Sequence, residues 1–172
     1  MHTETDLQYM KTALAEAGRA LEEGEFPVAC LIAGPDGVVA RGSRRGSTSG
    51  LGNETEHAEV LALRELERLD DPPDPSTLTV YSTMEPCLMC LGAILIHGIH
   101  RIVWAYEDVM GGACDCDLTK MAPLYSERPV VIMGKVLRDE SCSLFKAFFQ
   151  RPDNPYWTDS LLARYTLAQD VA

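Results

Sequence analysis

The sequence predicts a single α/β domain, and three observations carry that prediction. A helical apolar stripe precedes a β-hairpin signature, two short β-rich runs are joined through an apolar helix, and 172 residues with 46% apolar and 24% charged side chains fit one compact core. Leu7, Met10, Leu14, Ala17 and Leu21 recur every three or four residues, which predicts a first helix with one buried face, ended near Gly24. Phe26–Ala33 and Val38–Ser43 flank Gly34-Pro-Asp-Gly37, whose turn chemistry predicts an antiparallel hairpin. Residues 44–54, rich in Gly, Ser and Thr without an apolar period, read as a loop.

Thr55 is placed to cap a second helix that starts near Glu56 and runs through His57, Val60, Leu61, Leu63 and Leu66 to about Leu69, where Asp70-Asp-Pro-Pro-Asp-Pro75 stops it. Leu78–Tyr81 reads as a third strand, and Cys87–Ile96, entered at Pro86, as a buried third helix. Arg101–Ala105 is a fourth strand, and the crossover through a helix favours parallel pairing with the third. Pro129–Met133 gives a fifth. Helical spacing returns at Leu144, Phe145, Phe148 and Phe149, and Tyr156–Ala168 reads as a last amphipathic helix behind Pro152 and Pro155. Residues 1–150 are thus expected to form the functional domain, with 151–172 a helical extension packed on it.

Composition narrows the functional classes. Fifteen Lys and Arg against 26 Asp and Glu give a net charge of −11, so general attraction to polyanions is absent and a nucleic-acid partner would need a local basic patch. No apolar run reaches the roughly 18 residues that span a bilayer, and the start Met1-His2-Thr3-Glu4-Thr5-Asp6 is polar, so no membrane partner and a cytoplasmic location are expected. The six cysteines, at 30, 87, 90, 114, 116 and 142, are too sparse for a disulfide scaffold and clustered in a way that suits metal. Cys114-Asp-Cys116 has no nearby His and reads as free thiols beside Gly111-Gly112.

Two short motifs carry chemistry: His57-Ala-Glu59 at the start of the second helix and Pro86-Cys-Leu-Met-Cys90 at the start of the third. Each alone is weak, because a Cys-x-x-Cys can be a redox pair and a His-x-Glu a solvated pair. Together they supply one imidazole, two sulfurs and a carboxylate aimed from two helix starts. Zn2+ prefers such N and S ligands in a tetrahedron, and a catalytic site keeps its fourth position for water. His57, Cys87 and Cys90 are therefore the expected zinc ligands, with the helix dipole helping to keep the sulfurs ionised. Glu59 is assigned to proton transfer, since a coordinated carboxylate would fill the open position. His57 and Glu59 lie about 200° apart on an ideal helix and converge only at its end. A zinc fold closed by a fourth protein ligand, or a thiol redox pair at Cys87 and Cys90, are the competing readings.

These residues match the H-x-E…P-C-x-x-C signature of zinc nucleobase deaminases. The chain resembles the cytidine deaminase-like superfamily over about residues 7–150. It looks most similar to the bacterial tRNA adenosine deaminase and guanine deaminase branch, through Thr55-Glu-His-Ala-Glu-Val-Leu-Ala-Leu63, Met84-Glu-Pro-Cys-Leu-Met-Cys-Leu-Gly-Ala93 and Asp139-Glu-Ser-Cys142 with Phe148-Phe-Gln150. The resemblance implies a three-layer α/β/α fold with a five-stranded mixed sheet, zinc on His57, Cys87 and Cys90, Glu59 as proton shuttle, and a homodimer.

Members of that branch usually hold the substrate base with an Asn in the loop after the second strand, where this chain has Gly42-Ser-Arg-Arg-Gly46. Arg44 or Arg45 can replace it by bonding a base carbonyl or a phosphate, or can stand as a solvated pair; Asn53 is the one nearby Asn. Phe26, Phe148 and Phe149 are the aromatic side chains expected to wall the pocket, chosen from a wider set that includes Trp104, Tyr106, Tyr156 and Trp157. The acidic balance favours a small nucleobase, nucleoside or related amino-heterocycle as substrate. Adenosine in the tRNA anticodon loop is the alternative, disfavoured by that charge.

Overall fold

The computed structural model describes residues 2–47, 53–152, 154 and 156–171. Five strands form one mixed sheet in the order β2-β1-β3-β4-β5: β1 (Ala29–Gly34) and β2 (Gly37–Ser43) make the hairpin, followed by β3 (Thr79–Met84), β4 (Arg101–Tyr106) and β5 (Val131–Met133). β1 is antiparallel to both β2 and β3, whereas β3, β4 and β5 run parallel, as the crossover chemistry requires. Strand alternation divides the core into two layers. Cys30 and Ile32 of β1, with Ile102 and Trp104 of β4, face α2 (Ala58–Leu66) and α3 (Leu88–His97). Leu31, Ala33, Val103 and Ala105 face Met10 and Ala13 of α1 (Glu4–Glu22). A four-residue helical turn, α4 (Pro123–Ser126), precedes β5, and α5 (Arg138–Phe149) packs beside α1 and against β4.

α1 begins at a capping box in which Thr3 Oγ1 accepts from Asp6 N and the Asp6 carboxylate accepts from Thr3 N. The same carboxylate, 1% exposed, receives Arg101 Nη1 and Nη2 at 2.8 and 2.9 Å and the Tyr81 hydroxyl at 3.0 Å. Burial opposes its ionisation. The hydrogen bonds from Arg101, Thr3 and Tyr81 outweigh that effect and hold the carboxyl well below the usual carboxylate range. Helix and sheet are thus pinned together by a buried ion pair.

Several boundaries differ from expectation. Thr55 does not cap α2: Asn53–Glu56 form a turn in which Glu56 N donates to Asn53 O, so the extended residue before the helix is His57. α2 ends at Leu66 rather than Leu69. Cys87 likewise lies before α3 instead of inside it, and Gly98, at φ 93°, closes that helix in the left-handed region. α3 is not wholly buried, since Leu88 and Ile96 are 60% and 61% exposed. The last helix, α6, spans only Leu161–Leu167, because Ser160 Oγ accepts from Ala163 N and starts it late. α6 packs on α5, with Leu162 and Ala163 in the core and Thr166 Oγ1 3.0 Å from the Tyr106 hydroxyl.

Candidate active site

Two helix starts meet at the C-terminal end of β3. His57 and Cys87 each occupy the extended position before a helix, with ψ of 150° and 172°, while Glu59 and Cys90 sit in the first turns of α2 and α3. Placing His57 outside the helix removes the 200° conflict with Glu59. Gly42 on β2 allows α2 to approach: an added Cβ would collide with the Ala58 carbonyl oxygen and lie 2.6 Å from Ala62 N.

The donor atoms form a triangle. His57 Nδ1 lies 3.6 Å from Cys87 Sγ and 3.4 Å from Cys90 Sγ, and the two sulfurs are 3.6 Å apart. Tetrahedral zinc with bonds of about 2.3 Å to sulfur and 2.0 Å to nitrogen sets the corresponding edges at about 3.5 and 3.8 Å. The donor set fits the ion in size and chemistry. Among the described residues no fourth ligand joins the group, which leaves one corner for a water or substrate atom. The Cys87 thiol is drawn down to about 4 by the Cys90 thiol and, against burial, by His57, whereas Cys90 is pushed up. The opposite shifts arise because each sulfur acts on the other, and a cation bound by both would favour the ionised form of each.

Glu59 is buried, with Oε2 3.4 Å from Cys90 Sγ and Oε1 accepting from the Ser82 hydroxyl at 2.9 Å. Burial pushes its carboxyl above the ordinary range, against the hydrogen bond from Ser82. One oxygen is held and the other faces the metal ligands, the arrangement a proton carrier needs.

A cavity of about 440 Å3, open mouth included, extends from these residues. Phe26, Arg44, Glu85, Asp108, Tyr156 and Trp157 help to line it. Glu85 braces one wall, accepting from Asp108 N at 3.2 Å and Cys114 N at 3.0 Å. Opposite, Glu25 and Ser47 stitch the chain after β2 to the entry of β1: Ser47 N donates to Glu25 Oε2 at 2.9 Å and Phe26 N to Ser47 Oγ at 2.8 Å. With Arg44 N bonded to Val28 O, this turns Arg44 inward, 3% exposed, and leaves Arg45 on the surface.

The structure brings His57, Glu59, Cys87, Arg44 and Phe26 to the wall of one cavity, with the buried Cys90 joined to His57 and Cys87. Asn53 is exposed, its side chain accepting from Thr55 Oγ1, and is not among the described residues lining the cavity, nor is Arg45. Phe148 and Phe149 are corrected to the core: they pack behind Phe26, at ring separations of 5.2 and 5.9 Å, because α5 turns them inward. Tyr156 and Trp157, stacked at 5.2 Å and 8°, supply the aromatic wall instead. Ser82 was absent from the expected site. The period-two alternation that puts Tyr81 on the α1 side sends Ser82 toward α2, and only that signal points to it.

A family model described as the cytidine and deoxycytidylate deaminase zinc-binding region matches residues 3–106. The chain is 31% identical over 148 residues to the tRNA-specific adenosine deaminase of Bacillus subtilis, covering 84% of this chain and 89% of that protein. A solved structure from studies of A-to-I editing by tRNA:A34 deaminases superimposes with a TM-score of 0.62 at 28% identity, covering 80% of this chain and 98% of the other. The guanine deaminase of Nitrosomonas europaea, at 23% identity, TM-score 0.62 and 81% coverage of each chain, shares the fold. The expectation of a small-molecule nucleobase as partner, ahead of tRNA, is overturned by relatives named for action on tRNA. Net charge is a sum over the whole chain and does not fix the potential at one pocket. The chain belongs to the cytidine and deoxycytidylate deaminase zinc-binding family and is a hydrolytic deaminase acting on a carbon–nitrogen bond.

Proposed function

We propose that the protein deaminates adenosine to inosine in the anticodon loop of tRNA. The observation that carries this reading is the His57, Cys87 and Cys90 triangle with Glu59 beside it at the floor of an open cavity, in a chain similar over most of its length to a tRNA-specific adenosine deaminase. A bound zinc ion supplies Lewis-acid activation of water at neutral pH. His57, Cys87 and Cys90 hold the ion. Glu59, fixed through Oε1 by Ser82, carries one proton from the attacking water to a ring nitrogen and then carries the proton of the newly added hydroxyl to the departing amine, so that adenosine and water give inosine and ammonia. Tyr156 and Trp157 present a planar face on which an unstacked base can lie.

A cytoplasmic location belongs with this reading: all six cysteines are free, as a reducing compartment requires, and no helix of the described residues is long and apolar enough to cross a membrane. So does a homodimer, which the exposed Leu88, Met89 and Ile96 of α3 support. Sedimentation should give twice the chain mass, and Ile96→Glu should shift it toward the monomer; a monomeric wild type refutes the dimer. The function itself is tested on a zinc-loaded anticodon stem-loop assay for inosine, with free adenine, guanine and cytosine as controls. Inosine from the wild type and none from Glu59→Gln, with zinc retained, is the expected result. Turnover of free bases alone would reject the proposal.

A further inference from the structure

The deamination steps make no use of Arg44, although it is a nearly fully buried cation in the cavity wall. Its Nη2 bonds Glu54 Oε2 at 3.1 Å and the Tyr156 hydroxyl at 3.2 Å, and its guanidinium carbon lies 5.9 Å from the Tyr156 ring centre. Nε and Nη1 are buried with no hydrogen-bond partner, which leaves three N–H donors unused. Buried donors without partners are costly, and more so on a charge. Glu54 compensates little, because its side chain is 57% exposed and the pair is screened on that side.

The surrounding charges indicate what would complete the site. The carboxylates lining this cavity are Glu59, Glu85 and Asp108, and Arg44 is the only Lys or Arg among its described lining residues. A phosphate entering with a nucleotide meets repulsion from the carboxylates and one fixed cation. Guanidinium is well suited to phosphate oxygens, and its backbone here is already held by Val28, so little order remains to be gained on binding.

We propose that Arg44 binds a phosphate group adjoining the target nucleoside, and so orients the RNA with its base toward Glu59. This rests on the reading of an RNA substrate. Stem-loops carrying the target adenosine, native or with a single uncharged methylphosphonate linkage on its 5′ or 3′ side, are assayed with wild type, Arg44→Ala and Arg44→Lys at several salt concentrations. One uncharged linkage should raise the wild-type KM at least tenfold and leave kcat within about threefold. Arg44→Ala should show the same rise on native RNA, add nothing further on the RNA lacking that charge, and flatten the salt slope by about 0.7. Arg44→Lys should recover part of the loss.

An Arg44→Ala penalty equal on native and both neutralised RNAs would overturn the proposal in favour of contact with the base or a purely structural role, and so would no penalty at all. Should Arg44→Ala fail to fold, wild type on the neutralised RNAs and Arg44→Lys carry the test. If the wild type edits no RNA, the tRNA reading fails, and binding of AMP against adenosine to the zinc-loaded protein decides Arg44 separately. A preference for AMP of fivefold or more, lost in Arg44→Ala and reduced but not lost in Arg44→Lys, upholds it; equal or absent binding of the two refutes it.

Discussion

Replacing Asp6 by Ala strips a buried carboxylate from Arg101 and Tyr81 without touching the catalytic face of the sheet. Asp6 accepts from both terminal nitrogens of Arg101, from the Tyr81 hydroxyl, and from Thr3 through its backbone and side chain. Removing one partner of a buried ion pair costs about 3–5 kcal/mol, and because the Arg101 side chain is 31% exposed and is partly hydrated once alone, about 3 kcal/mol is expected here. For a chain of this length that corresponds to a fall in Tm of roughly 10 °C. The pH dependence gives a sharper criterion. Asp6 titrates below its unfolded value, so its stabilising effect is complete well above the unfolded pKa of about 3.9 and declines as pH falls through that value toward the folded one. At pH 3 about 1 kcal/mol of the effect should already be gone. Urea unfolding of wild type and Asp6→Ala at pH 7 and pH 3, the two proteins compared in the same metal state at each pH, reads both quantities. A difference under about 1 kcal/mol at pH 7, or one that does not shrink at pH 3, would show that the ion pair does not act as described.

Ser82→Ala should lower kcat by about tenfold or more while zinc content stays at one per chain, because the carboxylate loses its fixed orientation but the ligands keep theirs; plasma emission spectroscopy beside a turnover assay separates the two. Gly42→Ala should push α2 from β2 and cost about 2–3 kcal/mol in overpacking, with activity falling more steeply than stability because His57 and Glu59 move together. Incubation with a strong chelator should abolish turnover and lower Tm, and added zinc should restore both unless the apo chain aggregates first.

The sequence made the ligands legible because His57-Ala-Glu59 and Pro86-Cys-Leu-Met-Cys90 are local patterns whose chemistry needs few residues between partners. The strands were legible as short β-rich runs, two of them around the Gly34-Pro-Asp-Gly37 turn, and the β3–β4 pairing through the intervening helix. Contacts made across the fold were not. Ser82 and Glu59 lie 23 positions apart, Tyr81 and Asp6 lie 75 apart, and Arg44 meets Tyr156 across 112. Phe148 and Phe149 carry the same hydrophobic signal whether they line a cavity or fill a core, and only the rotation of α5 decides between them. Arg44 and Arg45 are adjacent and chemically identical, yet the stitching by Glu25 and Ser47 buries one and exposes the other. Total charge pointed to a small-molecule partner, and the relatives named for action on tRNA that overturn it are a signal carried neither by the net charge nor by the mostly acidic lining of this cavity.

An ion held by His57, Cys87 and Cys90 would join the leading ends of α2 and α3, so that metal supply and architecture would share one rivet. Cells starved of zinc would then make a chain whose two central helices lack their common anchor, and its removal by proteolysis would follow from the same shortage that silences it. Loss of abundance and loss of turnover should therefore appear together under metal limitation, and a purified sample of low activity is first to be checked for its metal content.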